Sequence, residues 1–328
     1  MTAEYSADQV SEEVALAAKR IRPYVRETPL EHSPCLSSET GAEVYLKMEN
    51  LQVTNSFKAR GAFSALLGLA DEERSRGIVT SSTGNHANAC AYAMPLLGIE
   101  GEIWVPATTS RAKLDPLEAR GADLKLVEGD PGHVEVLARE EAGRTGRVFV
   151  SPYNDPKVIG GQGTISLELE RQLGGPPDEV FVPVGGGGLI AGVSGHFKSE
   201  GAATRVIGCL PSNSPVMLDS VKAGHLIESP YESSLSDATI GWAEPDAITF
   251  PICRDCVDDW VLASEDQIAA AIRAIIACHS VLIEGAGALS VACLLKEGKR
   301  FAGRTVVLIL SGSRISLQKL AEVIGSST

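Results

Sequence analysis

The chain has 328 residues and a net charge of -13, from 29 Lys and Arg against 42 Asp and Glu. This acidic balance excludes a nucleic-acid partner, because nucleic-acid surfaces require basic patches. Apolar and charged residues make up 44% and 22% of the chain, which excludes bulk disorder, and the length favours two lobes over a single core.

The sequence also indicates where the protein resides. No apolar run reaches membrane length, and the N-terminus has no basic segment followed by an apolar one, so we expect a cytoplasmic protein with no membrane partner. Seven scattered cysteines do not indicate a disulfide framework. Cys253 and Cys256 form a CxxC pair, a pattern found in redox and zinc sites. No further pair completes the four ligands of a zinc site, so two partly buried thiols are the simpler interpretation.

The first predicted element is a helix. Ser6 and Gln9 can form a capping box, apolar residues recur at helical spacing from Val10 to Ile21, and Pro23 ends the helix. A short apolar strand over 43–48 follows.

Strand and helix patterns then alternate in two series. The predicted strands are Ile78–Ser81, Glu102–Val105, Asp123–Val127 and Val148–Ser151 in the first series, and Glu179–Val184, Val206–Leu210, Trp260–Ala263 and Thr305–Leu310 in the second. Such alternation predicts an α/β fold with two open, twisted parallel-sheet lobes, the first fifty residues packing on the second sheet. Ligands are expected in the cleft at the carboxyl ends of the strands.

Four consecutive glycines form the strongest local signal. Gly185, Gly186, Gly187 and Gly188 follow a predicted strand and, with Leu189, begin a predicted helix. Backbone N–H groups at the positive end of a helix, unobstructed by side chains, suit a phosphate. The lysine-containing pattern of a nucleotide P-loop is missing, and a flexible turn without a ligand is the alternative.

Lys58 lies where a polar turn precedes a helix predicted to start near Ser56. Partial burial and the positive end of a helix both lower the pKa of a lysine. A neutral amine can form a Schiff base with a carbonyl cofactor, whereas an ordinary surface lysine is the alternative.

A second polar turn spans 81–86 between a predicted strand and a predicted helix. Its hydroxyls and free N–H groups can hold a carboxylate. His86 alone is better interpreted as a structural hydrogen-bonding residue than as a general base.

Ser311 ends the last predicted strand and can present a neutral hydroxyl to the cleft. It can also cap the final predicted helix, Leu317–Ile324, and the local pattern favours that cap.

Five motifs in this order resemble the fold-type II pyridoxal-phosphate enzymes, most closely the branch of serine/threonine dehydratases and serine racemase. The motifs are Asn-Ser-Phe-Lys at 55–58, Ser-Thr-Gly-Asn-His at 82–86, Gly-Gln-Gly-Thr at 161–164, the tetraglycine at 185–188 and Leu-Ser-Gly at 310–312. The resemblance extends from about Arg22 to Leu320. The version at 82–86 is also similar to that of dehydratases associated with hydroxyectoine utilisation.

The resemblance implies a tryptophan synthase β-like fold with pyridoxal 5'-phosphate in the cleft between the lobes. Residues 1–66 and 153–328 would form a large cofactor-binding domain, and residues 67–152 a small mobile domain whose closure excludes water. A homodimer is usual in the family, and the expected partner is a small-molecule amino-acid substrate.

The resemblance also implies a role for each matching residue. Lys58 would hold the cofactor as a Schiff base and, once released by substrate, remove the α-proton. The remaining cofactor contacts would be Phe57 against the ring, Gly185 to Gly188 and Leu189 at the phosphate, Asn85 at the 3-oxygen and Ser311 at the pyridine nitrogen. The substrate carboxylate would bind Ser82, Thr83, Asn85 and His86. A serine at the ring nitrogen holds no full proton there, which favours early loss of a β-hydroxyl.

Three positions depart from the family pattern. Thr83 stands where dehydratases often carry alanine and serine racemase carries serine, so a second acid/base opposite Lys58 stays open. Leu210 stands where metal-binding members carry glutamate, so no divalent metal site is expected. Arg314 replaces a common asparagine, and we interpret it as a surface residue rather than as a contact to an acidic substrate.

These features together predict a dehydratase that converts a β-hydroxy amino acid, L-threonine or L-serine by default, to a 2-oxo acid and ammonia. An amino-acid racemase that uses Lys58 and Thr83 on opposite faces is the alternative. Two rivals are less favoured. One is a catalytically silent protein that binds a phosphorylated ligand, and the other is a β-replacement enzyme of the cysteine-synthase type.

Overall fold

The computed structural model describes residues 4–228, 232–241 and 243–325, which form ten strands and fourteen α-helices. The strands are β1 Leu30–His32, β2 Glu43–Lys47, β3 Ile78–Ser81, β4 Gly101–Pro106, β5 Asp123–Val127, β6 Val148–Phe149, β7 Glu179–Pro183, β8 Arg205–Pro211, β9 Asp259–Ala263 and β10 Thr305–Ile309. The helices are α1 Ala7–Ile21, α2 Pro34–Thr40, α3 Lys58–Leu67, α4 Asp71–Arg76, α5 Asn85–Leu97, α6 Arg111–Glu118, α7 Pro131–Thr145, α8 Pro156–Leu173, α9 Gly188–Ser199, α10 Val216–Ala223, α11 Thr249–Cys256, α12 Glu265–His279, α13 Gly285–Glu297 and α14 Leu317–Gly325. Within these ranges, no helix combines the length and apolarity needed to cross a membrane.

The strands form two sheets, as predicted. The larger has the order β1-β2-β10-β7-β8-β9, and the smaller has the order β5-β4-β3-β6 with parallel neighbours throughout. All nine predicted strands are present, and β2 returns from the N-terminal region to pair with β10, which places Val44 opposite Val306. The unpredicted strand β1 is antiparallel to β2 and has only three residues, too few to show a periodic pattern.

The smaller sheet lies within the predicted small domain, because its four strands fall between Ile78 and Phe149. The larger sheet combines residues from both ends of the chain. The domain boundaries at 66 and 153 stay a prediction.

Helix α1 begins as predicted, with the Ser6 and Gln9 capping box formed and Val10 and Val14 fully buried. Glycines let this helix approach its neighbours closely. A Cβ added to Gly163 would lie 2.4 Å from Val14 Cγ2, and one added to Gly195 would lie 2.8 Å from Val10 Cγ1. Several glycines between 160 and 195 therefore serve helix packing rather than a ligand.

A buried ion cluster fixes helix α3, the helix that begins with Lys58. The Arg60 guanidinium is fully buried and bonds Glu49 through its Nε (2.9 Å) and Nη2 (2.8 Å), and Glu168 through its Nη1 (2.7 Å) and Nη2 (2.8 Å). Lys47 Nζ donates to Glu168 Oε2 at 2.6 Å, the oxygen that also accepts from Arg60 Nη2. Two cations and two carboxylates balance in charge, so each buried charge has an opposite partner.

Replacing Arg60 with methionine is expected to destabilise the protein strongly. The change leaves Glu49 buried and without its cation, and breaking such a buried pair destabilises by roughly 3–5 kcal/mol. The measurement is the urea midpoint of unfolding by circular dichroism. Arg111→Met is the matched control, because Arg111 pairs with Asp115 and Glu118 on the surface, where ion pairs contribute little. Equal midpoints for the two variants would contradict this role of the cluster.

Candidate active site

Lys58 is the first residue of α3, two residues later than the predicted start of this helix. Asn55 adopts a left-handed conformation (φ 61°), and the Ser56 hydroxyl accepts a hydrogen bond from the Lys58 backbone N–H at 3.2 Å. The half-buried amine donates to the carbonyl of Pro152 at 2.7 Å. Burial lowers the pKa of Lys58 to about 8, against the opposing effects of Cys90 and Glu284. The amine is therefore partly neutral near physiological pH.

The tetraglycine connects β7 to α9 and is shaped by close neighbours. A Cβ on Gly186 would lie 2.6 Å from the Tyr153 ring, and Gly187 has a φ of 90°, which favours glycine. No side chain caps the N-terminus of α9, so its first N–H groups stay available to a ligand. Tyr153 directly follows Pro152, the residue whose carbonyl holds Lys58, so the lysine and the glycine loop meet at one short segment.

Ser311 lies beside the lysine turn. It is 2% exposed and follows β10, and its carbonyl accepts a hydrogen bond from the Phe57 N–H at 3.1 Å. The favoured interpretation of Ser311 as a helix cap is wrong, because α14 begins six residues later and Ser316 Oγ accepts from the Lys319 N–H at its start.

Glu284 is a member of this cluster that the sequence analysis missed. Its Oε1 accepts from Asn85 Nδ2 at 2.7 Å, and its Oε2 accepts from the backbone N–H of Arg314 at 2.9 Å. Burial raises its pKa to about 7, although the Arg314 N–H lowers it. The one local signal is an acidic residue directly before the glycine-rich start of α13.

Asn85 begins α5 and retains a buried Oδ1 with no hydrogen-bond partner among the described residues. A buried oxygen without a hydrogen bond indicates that a ligand donates to it or that the amide adopts the flipped orientation. Asn85 thereby joins the turn at 82–86 to the Ser311 loop through Glu284.

The other residues of this turn divide into two groups. Ser82 and Thr83 are half-buried beside the free N-terminus of α5. The His86 side chain points away into the small lobe, where its Nε2 lies 3.0 Å from Thr80 Oγ1 and 3.2 Å from the Val150 carbonyl. Burial lowers the pKa of His86 to about 3, so the ring is neutral and structural, as predicted, and only its backbone N–H faces the helix end.

Gly-Gln-Gly-Thr at 161–164 contacts helix α3, which carries Lys58. Gln162 Oε1 accepts from the Gly61 N–H at 3.2 Å, and Arg60 Nη1 donates to Thr164 Oγ1 at 3.1 Å. This motif positions α3 through the buried cluster around Arg60.

Two of the departures from the family pattern have definite positions. Arg314 is not a simple surface residue as expected, since it is half-buried and its Nη1 donates to Asn88 Oδ1 on α5 at 2.9 Å. Leu210 is 1% exposed within an apolar cluster and offers no oxygen ligand. No group of three or more His, Cys, Asp or Glu residues able to hold a metal occurs within the described ranges.

These residues fit pyridoxal phosphate. The fit rests on a cradle that any Cβ at Gly186 or Gly188 would fill, an amine with a lowered pKa and a buried hydroxyl close by. Lys58 would hold the aldehyde, the N–H groups of 185–189 the phosphate, and Ser311 the ring nitrogen.

Comparison with known proteins points the same way. The family model described as "Pyridoxal-phosphate dependent enzyme" matches residues 21–312. The chain is 39% identical to the L-threonine ammonia-lyase of Thermotoga maritima over 95% of this chain and 77% of that protein. It is 36% identical to the catabolic L-threonine dehydratase of Escherichia coli over 98% of each chain. Its fold is similar to that of maize serine racemase, with a TM-score of 0.90, 31% identity and 98% of each chain covered.

We expect the amine of Lys58 to react at lower pH than other lysines. Its lowered pKa of about 8 makes the neutral, nucleophilic form appear as the pH passes 8, whereas the hydrogen bond to Asp123 raises the pKa of Lys125. The cofactor is first removed from the protein with hydroxylamine. Labelling with acetic anhydride at pH values from 6 to 11, followed by peptide mass spectrometry, then measures the extent of acetylation of both lysines in one sample. Coincident pH profiles for Lys58 and Lys125 would contradict the expected difference.

Proposed function

The chain belongs to the pyridoxal-phosphate dependent enzyme family, and we propose that it removes water and then ammonia from L-threonine or L-serine to give a 2-oxo acid. The observation that carries the proposal is the position of Lys58. Its amine donates to the carbonyl of Pro152, whose neighbour Tyr153 packs against the glycine loop. Phe57, the residue before Lys58, donates its backbone N–H to the carbonyl of Ser311.

When bound, pyridoxal phosphate supplies an electron sink for the negative charge that develops at the substrate α-carbon. Lys58 Nζ is the base that takes the α-proton, and its lowered pKa makes a neutral amine available at little cost. Ser311 offers a neutral hydroxyl, which suits rapid loss of a β-hydroxyl group better than prolonged storage of charge.

The substrate carboxylate is held at the N-terminus of α5. The N–H groups of the first helical turn have no partner within the helix and lie at its positive end. Ser82 and Thr83 add hydroxyls, and Asn85 adds its amide. His86 contributes its backbone N–H, because its ring is buried in the small lobe.

A racemase is the second candidate, and Thr83 is the observation that favours it. Its half-buried hydroxyl follows strand β3 at the N-terminal turn of α5. A hydroxyl opposite the lysine would return a proton to the other side of the α-carbon. Maize serine racemase, a structural relative, has 31% identity to this chain.

We also propose a domain movement, a location and an oligomeric state for the enzyme. Residues 67–152 act as a mobile domain that closes over the substrate and excludes water. The protein works as a cytoplasmic homodimer and needs no divalent cation, because Leu210 replaces a metal ligand of the family.

The holoenzyme tests the proposal directly. L- and D-threonine and L- and D-serine are assayed for 2-oxo acid, with magnesium and with EDTA, and deuterium at the α-carbon is followed by NMR in deuterated water. We expect 2-oxo acid from the L-enantiomers at equal rates in both buffers. Lys58→Ala should lower turnover by about 10²–10⁴-fold through loss of the base. Lys157→Ala is the matched control, because this lysine also donates to a backbone carbonyl, that of Gly68.

The assay separates the candidates. Deuterated antipode without 2-oxo acid would replace the lyase with the racemase, and Thr83→Ala should then abolish formation of the antipode. Full turnover by Lys58→Ala would overturn both proposals.

The glycine cradle generates a further expectation. Gly186→Ala should weaken cofactor binding by at least tenfold, because its new methyl group meets the Tyr153 ring at 2.6 Å and narrows the cradle. Equilibrium titration of the stripped protein with pyridoxal phosphate, followed by absorbance, gives the dissociation constants. Gly175→Ala is the control, since no atom lies within 4 Å of its added Cβ. Equal binding by both variants would contradict the assignment of the phosphate to this loop.

A further inference from the structure

A cluster of nucleophilic side chains lies at the junction of α2 and α12, and none of its members belongs to the candidate active site. Ser33 and Cys35 stand at the start of α2, and Cys278 and His279 are the last two residues of α12. His279 Nε2 lies 2.8 Å from Ser33 Oγ and 3.6 Å from Cys35 Sγ, and Ser33 Oγ lies 3.5 Å from Cys35 Sγ. Cys278 precedes His279 on α12, and the Cys35 thiol is near enough to shift the pKa of Cys278.

These two thiols differ from the other five in exposure. Cys278 is exposed and Cys35 is half-buried, whereas the remaining cysteines, Cys90, Cys209, Cys253, Cys256 and Cys293, are buried. An oxidant dissolved in water therefore reaches Cys35 and Cys278 first.

His279 supplies a base for this pair. Burial lowers the pKa of His279, although Glu31 opposes the shift, so the ring is neutral at physiological pH and one of its nitrogens accepts. When that nitrogen is Nε2, it accepts from Ser33 and faces the Cys35 thiol. Transfer of the thiol proton to Nε2 gives the Cys35 thiolate, which is the reactive form of cysteine.

We propose that Cys35 and Cys278 form a reversible disulfide with hydrogen peroxide as the oxidant. The Cys35 thiolate attacks one peroxide oxygen, the O–O bond breaks, and Cys35 sulfenic acid and hydroxide form. The Cys278 sulfur then displaces the sulfenic hydroxyl, an S–S bond forms and water leaves with the Cys278 proton. The proton taken up by His279 passes to the hydroxide released in the first step and makes the second water. In total, two thiols lose two hydrogens, and one peroxide is reduced to two waters.

The CxxC pair noted in the sequence is the weaker competitor. Cys253 and Cys256 both lie on α11 and are buried. Both thiols are therefore shielded from the oxidant. The neighbouring Cys35 raises the pKa of Cys278 to about 11, so Cys278 keeps its proton and reacts second, after Cys35.

The experiment maps the disulfide in the full-length holoenzyme. Reduced protein is treated with hydrogen peroxide, its free thiols are blocked with N-ethylmaleimide under denaturing conditions, and peptides are analysed by mass spectrometry. Free thiols should fall from seven to five, with one linked peptide that contains Cys35 and Cys278 and disappears on reduction with dithiothreitol. Trypsin leaves Cys278 and Cys293 in one peptide, so fragmentation must locate the link.

Variants make the outcome decisive. Cys35→Ser and Cys278→Ser should each lose the linked peptide, and Cys256→Ser should keep it. His279→Gln should slow its formation by about tenfold, because the base is removed while both thiols remain. Seven free thiols after oxidation, a link between Cys253 and Cys256, or unchanged kinetics in His279→Gln would each overturn the mechanism proposed here.

Discussion

The buried ion cluster around Arg60 is the constraint on which the rest of the site depends. It joins β2 through Lys47, the turn after β2 through Glu49, helix α3 through Arg60 and helix α8 through Glu168. Lys58 is two residues before Arg60, so the cluster sets the position of the amine. Charged groups buried this deeply tolerate few alternative arrangements, since moving one partner leaves another unpaired. An apolar core at the same place would allow α3 to slide or rotate.

A second feature is how little positive charge the site uses. The chain carries a net charge of -13, yet the phosphate cradle proposed here consists of backbone N–H groups, which no change of pH removes. The groups nearby carry little charge. The Ser311 hydroxyl is neutral, and burial lowers the pKa of Lys58 to about 8 and raises that of Glu284 to about 7. A site of this kind binds an anion through geometry rather than through a basic surface.

The sequence predicted the strands and the order of motifs well, because both depend on local patterns. Alternation of apolar runs identifies β3 and β5 to the residue, and the capping box identifies the start of α1. Glu284 was missed and Arg314 was wrongly interpreted as a surface residue because their partners, Asn85 and Asn88, lie 199 and 226 residues away. The local pattern at Ser311 was misleading, because a serine before a helix resembles a cap unless the start of the helix is known. Not every glycine near the site serves a ligand, since Gly163 and Gly195 let α1 pack closely.

The buried titratable groups of the site lower the stability of the fold by an amount that depends on pH. A carboxyl whose pKa rises from 4.5 to about 7 on folding makes the protein less stable as the pH increases across that window. A lysine whose pKa falls from 10.5 to about 8 lowers stability fully below pH 8, and the loss is recovered only as the pH rises towards 10.5. Near neutral pH both groups therefore oppose folding. Apolar residues in the same places would avoid this penalty, so the pair is better explained by a requirement for an amine and a carboxyl whose protons move easily near pH 7 to 8.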